Sequence, residues 1–345
     1  MDQRVGVVGA GVAGLGCARE IDGEITVLEK SRGVSGRAAT RRTNGCRYDH
    51  GANYIDLEPD DELLSLVEGL GTDGLVDIEE PVWVFDREGE IAPGHGEDGH
   101  KLTYERGITG FAKRLRDDAG LEVQTETRAE SLARADDGTW TVTDTEGGEW
   151  GPFDALVLTP PAPQTAALLS RADWDDPLRE RLHGAVSAVP FRTVITAVLH
   201  YPFELDVPYY ALVNTDKEHG IGWLSREECK PGHVPEGESL LICQMGGDWS
   251  ARRYDDPPEE VCDDAATLVA DLLGDDRLAT PDWTDWQGWR YAIPEDSVDE
   301  SVVAEAERAG LYLTGDWLVG TGRVDGAFVA GRETGKRVAR GLNGS

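Results

Sequence analysis

Three glycines, an acid and an arginine near the N-terminus carry the first chemical information. Gly9-Ala10-Gly11-Val12-Ala13-Gly14 completes G-x-G-x-x-G directly after the apolar residues 4–8. In such a motif the first glycine permits a tight turn, the second lets backbone approach a pyrophosphate, and the third lets helix and strand pack closely. Residues 15–21 continue as a helix, and its N-terminus, with unpaired N–H groups, faces the phosphates. Glu29 ends the following strand, 20 residues after Gly9, where an acid accepts hydrogen bonds from ribose hydroxyls. Together these features predict a dinucleotide site. The next stretch, KSRGVSGRAATRR, places Gly33 and Gly36 before Arg37, so a loop can pass under a diphosphate and offer it a guanidinium. An ordinary nicotinamide site has no need of this second phosphate-facing loop.

The elements that must position these residues are distributed along the chain. LYLTGDWLVGTGRVDGAFVAGRETGKRVARGL reads as a strand at 311–314, Gly315-Asp316, a glycine-rich loop and a helix from 325 or 326, with Gly326, Ala327, Ala330 and Gly331 allowing close backbone approach. Residues 121–159 read as a strand, a meander turning at Asp137-Gly138 and Gly147-Gly148, and a closing strand. Residues 107–115 form a glycine-capped amphipathic helix. The stretches 57–103 and 162–294 carry no nucleotide signature and include β-like runs such as FRTVITAVLHYPF. The expected fold is therefore α/β: a Rossmann-like dinucleotide domain from 1–56, 104–161 and 295–345, with an inserted mainly β or α+β substrate domain from 57–103 and 162–294.

Composition bounds the setting. A chain of 345 residues exceeds one compact core and favours two domains. Sixty-six Asp and Glu against 33 Lys and Arg give a formal net charge of −33. Such self-repulsion is screened at about 1 M salt, where the Debye length is about 3 Å, which points to a salt-loaded cytoplasm. The acid is spread as on a solvated surface, and nucleic acid is excluded for want of a basic stripe. Five cysteines without C-x-x-C read as reduced thiols. The histidines show no H-x-x-x-H or H-x-H spacing, so no metal is assigned. No leader and no run of about 20 apolar residues is present, so the expectation is a soluble, cytoplasmic protein, with oligomeric state open.

The order strand, G-x-G-x-x-G, helix, strand with terminal Glu, then Gly-Arg loop resembles the FAD-binding half of the amine-oxidase superfamily. The resemblance implies FAD held as a cofactor, with Asp316 bonding the ribityl chain and the C-terminal helix facing the flavin pyrimidine edge, where reduced flavin gathers negative charge. It places Ala129 near the adenine. Lys30, Gly36, Arg37, Gly51, Ala52, Gly315, Val324, Gly326 and Ala327 join Gly9, Gly11, Ala13, Gly14 and Glu29 in the cofactor shell.

SRGVSGRAATRR, YDHGANYI, YERGITGFAKRL, LVLTPPAPQTAALL, GWRYAIP and GDWLVGTGRVDGAFVAG occur in an order that resembles the renalase family over nearly the full chain. Ser35 replaces the first glycine of that family's Gly-Gly-Arg, and Asn53 stands where Gln is more usual. The resemblance implies hydride transfer from a reduced small molecule, a dihydronicotinamide isomer, to flavin N5, with dioxygen returned as peroxide. Such a substrate needs no general base, because its ring nitrogen expels the hydride, so no catalytic side chain is assigned. Substrate-binding candidates are Asn53, Tyr54 and the aromatic-cation set Trp289, Arg290 and Tyr291. His50 beside Asp49 is either a base or a hydrogen-bonded structural histidine. The alternatives are an amine oxidase or desaturase-like enzyme, a non-catalytic flavin redox sensor, and a flavin-free nicotinamide dehydrogenase. Many amine oxidases hold a lysine near N5 through water. Here the lysines are Lys30, Lys101, Lys113, Lys217, Lys230 and Lys336, none in the stretch leading to GWRYAIP.

Overall fold

The structure, a computed structural model, describes residues 3–58, 62–94 and 99–343. Two compact units emerge: Met1–Arg37, Phe111–Phe191 and Ile293–Ser345 form the first, Ala38–Gly110 and Arg192–Ala292 the second.

The first unit is built on a five-stranded sheet ordered Val123–Gln124, Glu24–Leu28, Arg4–Val8, Ala155–Leu158, Leu311–Leu313, with every neighbouring pair parallel. Parallel sheets are covered on both faces and so draw on unbroken Val/Leu runs rather than alternating ones. Val5, Val7, Val27, Leu156, Val157, Leu311 and Leu313 are accordingly fully buried. Helix Val12–Ala18 is buried along its whole length, and helix Val324–Asn343 lies directly against it. A Cβ on Gly331 would stand 2.2 Å from the Ala13 carbonyl oxygen, and one on Gly335 2.3 Å from that of Cys17. The close approach that Gly331 permits is thus to the first helix.

Strands Ala129–Arg134, Trp140–Asp144 and Glu149–Phe153 form the antiparallel meander, turning through Gly138 and Gly147 at positive φ. Helices Ala162–Ser170 and Pro177–Ser187 bury Ala162, Ala166, Leu169, Leu182 and Val186 in one core with Trp140, Leu158 and Trp317. That apolar face is why residues 162–191 belong to the first unit, a correction to the boundary expected at 161. Residues 38–56 and 104–110 likewise fall in the second unit.

The second unit carries a seven-stranded sheet ordered Trp283–Pro294, Phe191–Tyr201, Ser239–Met245, Ile221–Arg226, Ala211–Asn214, Val82–Phe85, Ile91–Ala92. Ile195, Ala197 and Leu199 point to one face, where Val261, Ala265, Ala266 and Val269 of helix Pro258–Leu273 cover them. Val198 points to the other, with Cys46, Tyr48, Leu240 and Ile242. Burial on both faces explains the continuous apolar run of that strand. A hairpin pairs Thr40–Thr43 with Cys46–Asp49, and Ile55–Leu57 and Leu75–Asp77 flank His100–Tyr104. Among the described residues no helix is long and apolar enough to cross a membrane.

Candidate functional site

In the first unit the glycine turn divides its work unevenly. Gly9 has φ +104°, and a Cβ there would meet the Thr159 hydroxyl at 2.3 Å; one on Gly14 would meet the Gly9 carbonyl oxygen at 2.1 Å. These two glycines are therefore required by the turn itself. A Cβ on Gly11 would meet nothing within 4 Å, so its backbone borders open space. Gly11 is also the N-cap of helix Val12–Ala18, with no side-chain cap, and its surroundings leave main-chain N–H groups for an anion. Ala13, in the same helix, is buried.

Glu29 is nearly buried, and its two carboxylate oxygens accept from the N–H groups of Ala10 at 2.9 Å and Ser31 at 2.8 Å. Each oxygen keeps a further lone pair, which suits a ribose hydroxyl. The main chain at Glu126 and Thr127 donates to the carbonyls of Ser31 and Glu29, which brings the segment leading to Ala129 alongside. Lys30 is exposed, with its ammonium 3.5 Å from Gln164 Oε1.

Ser35 is 2% exposed and has φ +96°, a left-handed backbone that glycine adopts freely and serine does not. Its N–H is held by the Ala10 carbonyl at 2.9 Å. The serine in place of the expected glycine is therefore kept in its conformation by the surrounding turn, at a cost of about 1–3 kcal/mol. Gly36 follows with φ +58° and would place a Cβ 3.4 Å from Gly11 Cα. Arg37 then donates to Asp316 Oδ1 at 2.7 Å; Asp316 is 4% exposed. Two residues given separate roles, almost 280 positions apart, are thus one ion pair. Gly315 precedes Asp316 at φ +148°. Val324, buried, opens the C-terminal helix, with Gly326 and Ala327 in its first turn.

In the second unit the segment after Cys46–Asp49 is tied down at Asn53. Its Nδ2 donates to the carbonyls of Asp49 at 2.9 Å and Gly51 at 3.1 Å. Its Oδ1 accepts from Trp223 Nε1 at 2.6 Å and Ser225 Oγ at 2.9 Å. Those four bonds use the full capacity of the amide, so Asn53 positions Gly51 and Ala52 and has nothing left for a ligand. Gln244 adds a bond to the Gly51 carbonyl at 2.6 Å. Tyr54, Tyr210 and Trp223 form a trio with ring centroids 6.1–6.2 Å apart.

Trp289 stacks on His50 at 5.4 Å with 26° between planes, and its Nε1 donates to the His50 carbonyl at 3.0 Å. Tyr291 is half-buried, two residues along the same strand. Arg290 alternates to the opposite side, where its guanidinium lies 4.2 Å over Tyr254 and 3.5 Å from Asp255. The strand therefore separates the cation from Trp289 and Tyr291. Burial, reinforced by the Arg41 charge, pushes the His50 imidazole down to about 4, so the ring is neutral at pH 7. Its Nδ1 is buried without a hydrogen-bond partner among the described residues.

Beneath this segment lies a network the sequence reading did not find. Lys230, fully buried, donates to Asp49 at 3.0 Å and Glu227 at 2.7 Å, both also fully buried. His233 Nδ1 lies 2.7 Å from Glu227, and its Nε2 lies 3.1 Å from the Tyr104 carbonyl. Asp49 also accepts from Thr40 Oγ1 at 2.6 Å and the Ile108 N–H at 3.0 Å. Burial alone would raise the Asp49 carboxyl; Lys230 and His233 outweigh it and hold it below the usual carboxylate range. Burial likewise opposes the Lys230 charge, but Asp49 and Glu227 keep its pKa above the ordinary lysine value. The sequence signal was faint: Glu227, Lys230 and His233 recur every third residue in EECKPGH, far from Asp49.

The pattern of the family described as flavin containing amine oxidoreductase matches residues 77–339. That of an NAD(P)-binding Rossmann-like domain matches residues 7–70. Among solved structures, an Exiguobacterium sp. 255-15 protein assigned as a protoporphyrinogen oxidase is similar at TM-score 0.79 and 15% identity, over 99% of each chain. Cyclohexylamine oxidase from Brevibacterium oxydans IH-35A is similar at 0.75 and 15%, over 99% of this chain and 100% of that one. A putrescine oxidase with putrescine bound matches at 0.73 and 13%, over 99% of each.

Proposed function

The chain belongs to the flavin-containing amine oxidoreductase family and is an FAD-dependent oxidoreductase; from that premise we propose that it is a renalase-like oxidase of small dihydropyridines, with dihydronicotinamide isomers as the substrate class and dioxygen as acceptor. When bound, FAD supplies the hydride-accepting N5 atom and the return of electrons to dioxygen as hydrogen peroxide.

In this reading Glu29 receives the adenosine ribose, and the open backbone at Gly11, with Gly36 packed close against it and with Ala13, Gly14 and Arg37, holds the pyrophosphate. Asp316, fixed by Arg37, orients the ribityl chain. Gly315, Val324 and Gly326 present main-chain N–H groups to the flavin ring and Ala327, whose N–H is held by the Arg323 carbonyl, adds a small side chain beside it, while Ala129 and Lys30 border the adenosine. Trp289, backed by His50, offers a flat neutral face to the substrate ring, and Tyr54 and Tyr291 contribute aromatic surface. Asn53 holds the Gly51 carbonyl and serves as a positioning residue.

The observation that carries the reading is that His50, the titratable ring stacked on Trp289, is pushed by burial down to about 4. A group with a pKa near 4 is poorly matched to proton abstraction at pH 7, and His50 is such a group. The Lys230 ammonium is sealed between two carboxylates, and Lys217 lies in an exposed turn at φ +62°. A dihydropyridine needs no base, whereas an amine must first lose its proton. The test is the rate of anaerobic flavin reduction by dihydronicotinamide isomers across neutral and mildly alkaline pH. A flat profile is expected; a profile governed by an ionisation near pH 7–9 would reject the base-free reading.

A further inference from the structure

A second group of chemistry-bearing side chains lies in the second unit, and nothing in the proposed oxidation uses it. Cys46 opens strand Cys46–Asp49, His200 lies near the end of Phe191–Tyr201, and Glu238 immediately precedes Ser239–Met245. The antiparallel register pairs His200 with Leu240, so Glu238 is the diagonal neighbour of His200 on the same face. Its carboxylate reaches His200 Nε2 at 2.9 Å. The Cys46 sulfur completes the set: one ligand atom from each of the three residues lies within 4.8 Å of the other two. Cys46 and His200 are 3% and 4% exposed, while the Glu238 side chain is 35% exposed and gives the group access to water.

The imidazole is held from behind. Asp282 places a carboxylate oxygen 3.5 Å from Nδ1, and its N–H donates to the His200 carbonyl at 2.8 Å. Trp283 stacks on the ring at 4.9 Å with 11° between planes. At 3.5 Å the Asp282 carboxylate is an ion-pair contact and not a hydrogen bond, since His200 Nδ1 has no hydrogen-bond partner among the described residues; the Trp283 stack holds the ring with Nε2 turned toward Glu238. Tetrahedral zinc, with bonds of about 2.0–2.3 Å, sets its ligands about 3.3–3.8 Å apart. Small side-chain rotations therefore bring sulfur, nitrogen and oxygen to that spacing. A thiolate and a carboxylate together balance a divalent charge, and sulfur with imidazole selects zinc over magnesium or calcium.

We propose that Cys46, His200 and Glu238 bind one zinc ion, with Trp283 holding the His200 ring and water as the fourth ligand. The ion ties the strand that leads to Gly51–Asn53 to the seven-stranded sheet. A second comparable group among the described residues, Asp49, Glu227 and His233, is not such a site, because the Lys230 ammonium already bridges its two carboxylates.

The test uses FAD-loaded protein stripped with a chelator, given excess zinc in high salt, desalted, and measured for zinc content and zinc-edge X-ray absorption. One zinc per chain is expected, with one sulfur at about 2.3 Å and nitrogen or oxygen at about 2.0–2.1 Å. C46S, checked for flavin content and circular dichroism, should lose the sulfur shell. E238Q, at a partly exposed position, should weaken zinc retention at least about tenfold without disturbing the core. Zinc surrounded only by oxygen and nitrogen would mean binding to surface carboxylates and overturn the proposal. So would no retained zinc, or a sulfur shell that survives in C46S.

Discussion

Titration of His50 gives the acid sensitivity of the protein a calculable size. The ring is 5% exposed, and burial, then the Arg41 guanidinium, pushes its pKa from 6.5 to about 4. In the unfolded chain the imidazole takes up a proton as pH falls through 6.5; in the folded protein it resists until about 4. The unfolded state thus binds more protons between those values, and stability falls as the solution is acidified. Above 6.5 the group contributes no pH dependence, and below about 4 its effect is complete. At about 1.4 kcal/mol per pH unit, the loss amounts to about 3 kcal/mol. His219, lowered chiefly by burial, acts in the same direction, so a variant is needed to isolate His50. His50→Phe keeps a ring against Trp289 and removes the titration. Urea unfolding of FAD-loaded wild type and variant, in constant high salt from pH 7 to pH 4, should show wild type losing up to about 3 kcal/mol more than the variant. Surface carboxylates affect both proteins alike and cancel. Parallel stability curves would refute a neutral, proton-resisting His50.

Two further substitutions probe the assignments made from the cradle and the strand. Glu29→Ala removes the acceptor of the Ala10 and Ser31 N–H groups as well as a ribose partner, and FAD retention after desalting should weaken about tenfold or more; wild-type flavin content would remove Glu29 from the cofactor site. Arg290→Ala should leave KM within about twofold of wild type, because the side chain is turned toward Tyr254 and Asp255; a large rise in KM would restore Arg290 to the substrate site.

The parts of the fold that are legible in the sequence are those fixed by local stereochemistry. Gly9 and Gly14 are demanded by a turn a few residues long, Glu29 by the strand end beside it, and the meander by its two glycine turns. The helices at 162–187 were misallocated because their apolar faces resemble any amphipathic pattern; only the tryptophans they meet, Trp140 and Trp317, reveal which core they join. Arg290 looked like a partner of Trp289 by adjacency, yet adjacent residues in a strand face opposite ways. Asp49 and Lys230, or Cys46 and His200, meet through packing of the hairpin strand against elements more than 150 positions away in sequence. No spacing rule for histidines or lysines could find them. Ser35 was visible as a departure from Gly-Gly-Arg, but its positive φ was not.

The most direct measurement mixes FAD-loaded protein, purified in high salt and made anaerobic, separately with off-isomer dihydronicotinamides, authentic NADH and simple amines, while the visible flavin band is followed. The account predicts rapid bleaching by the off-isomers alone, with colour and peroxide returning together when air is admitted. Bleaching by amines, or by none of the three, would contradict the proposed substrate class and leave the protein an FAD-dependent oxidoreductase of another specificity.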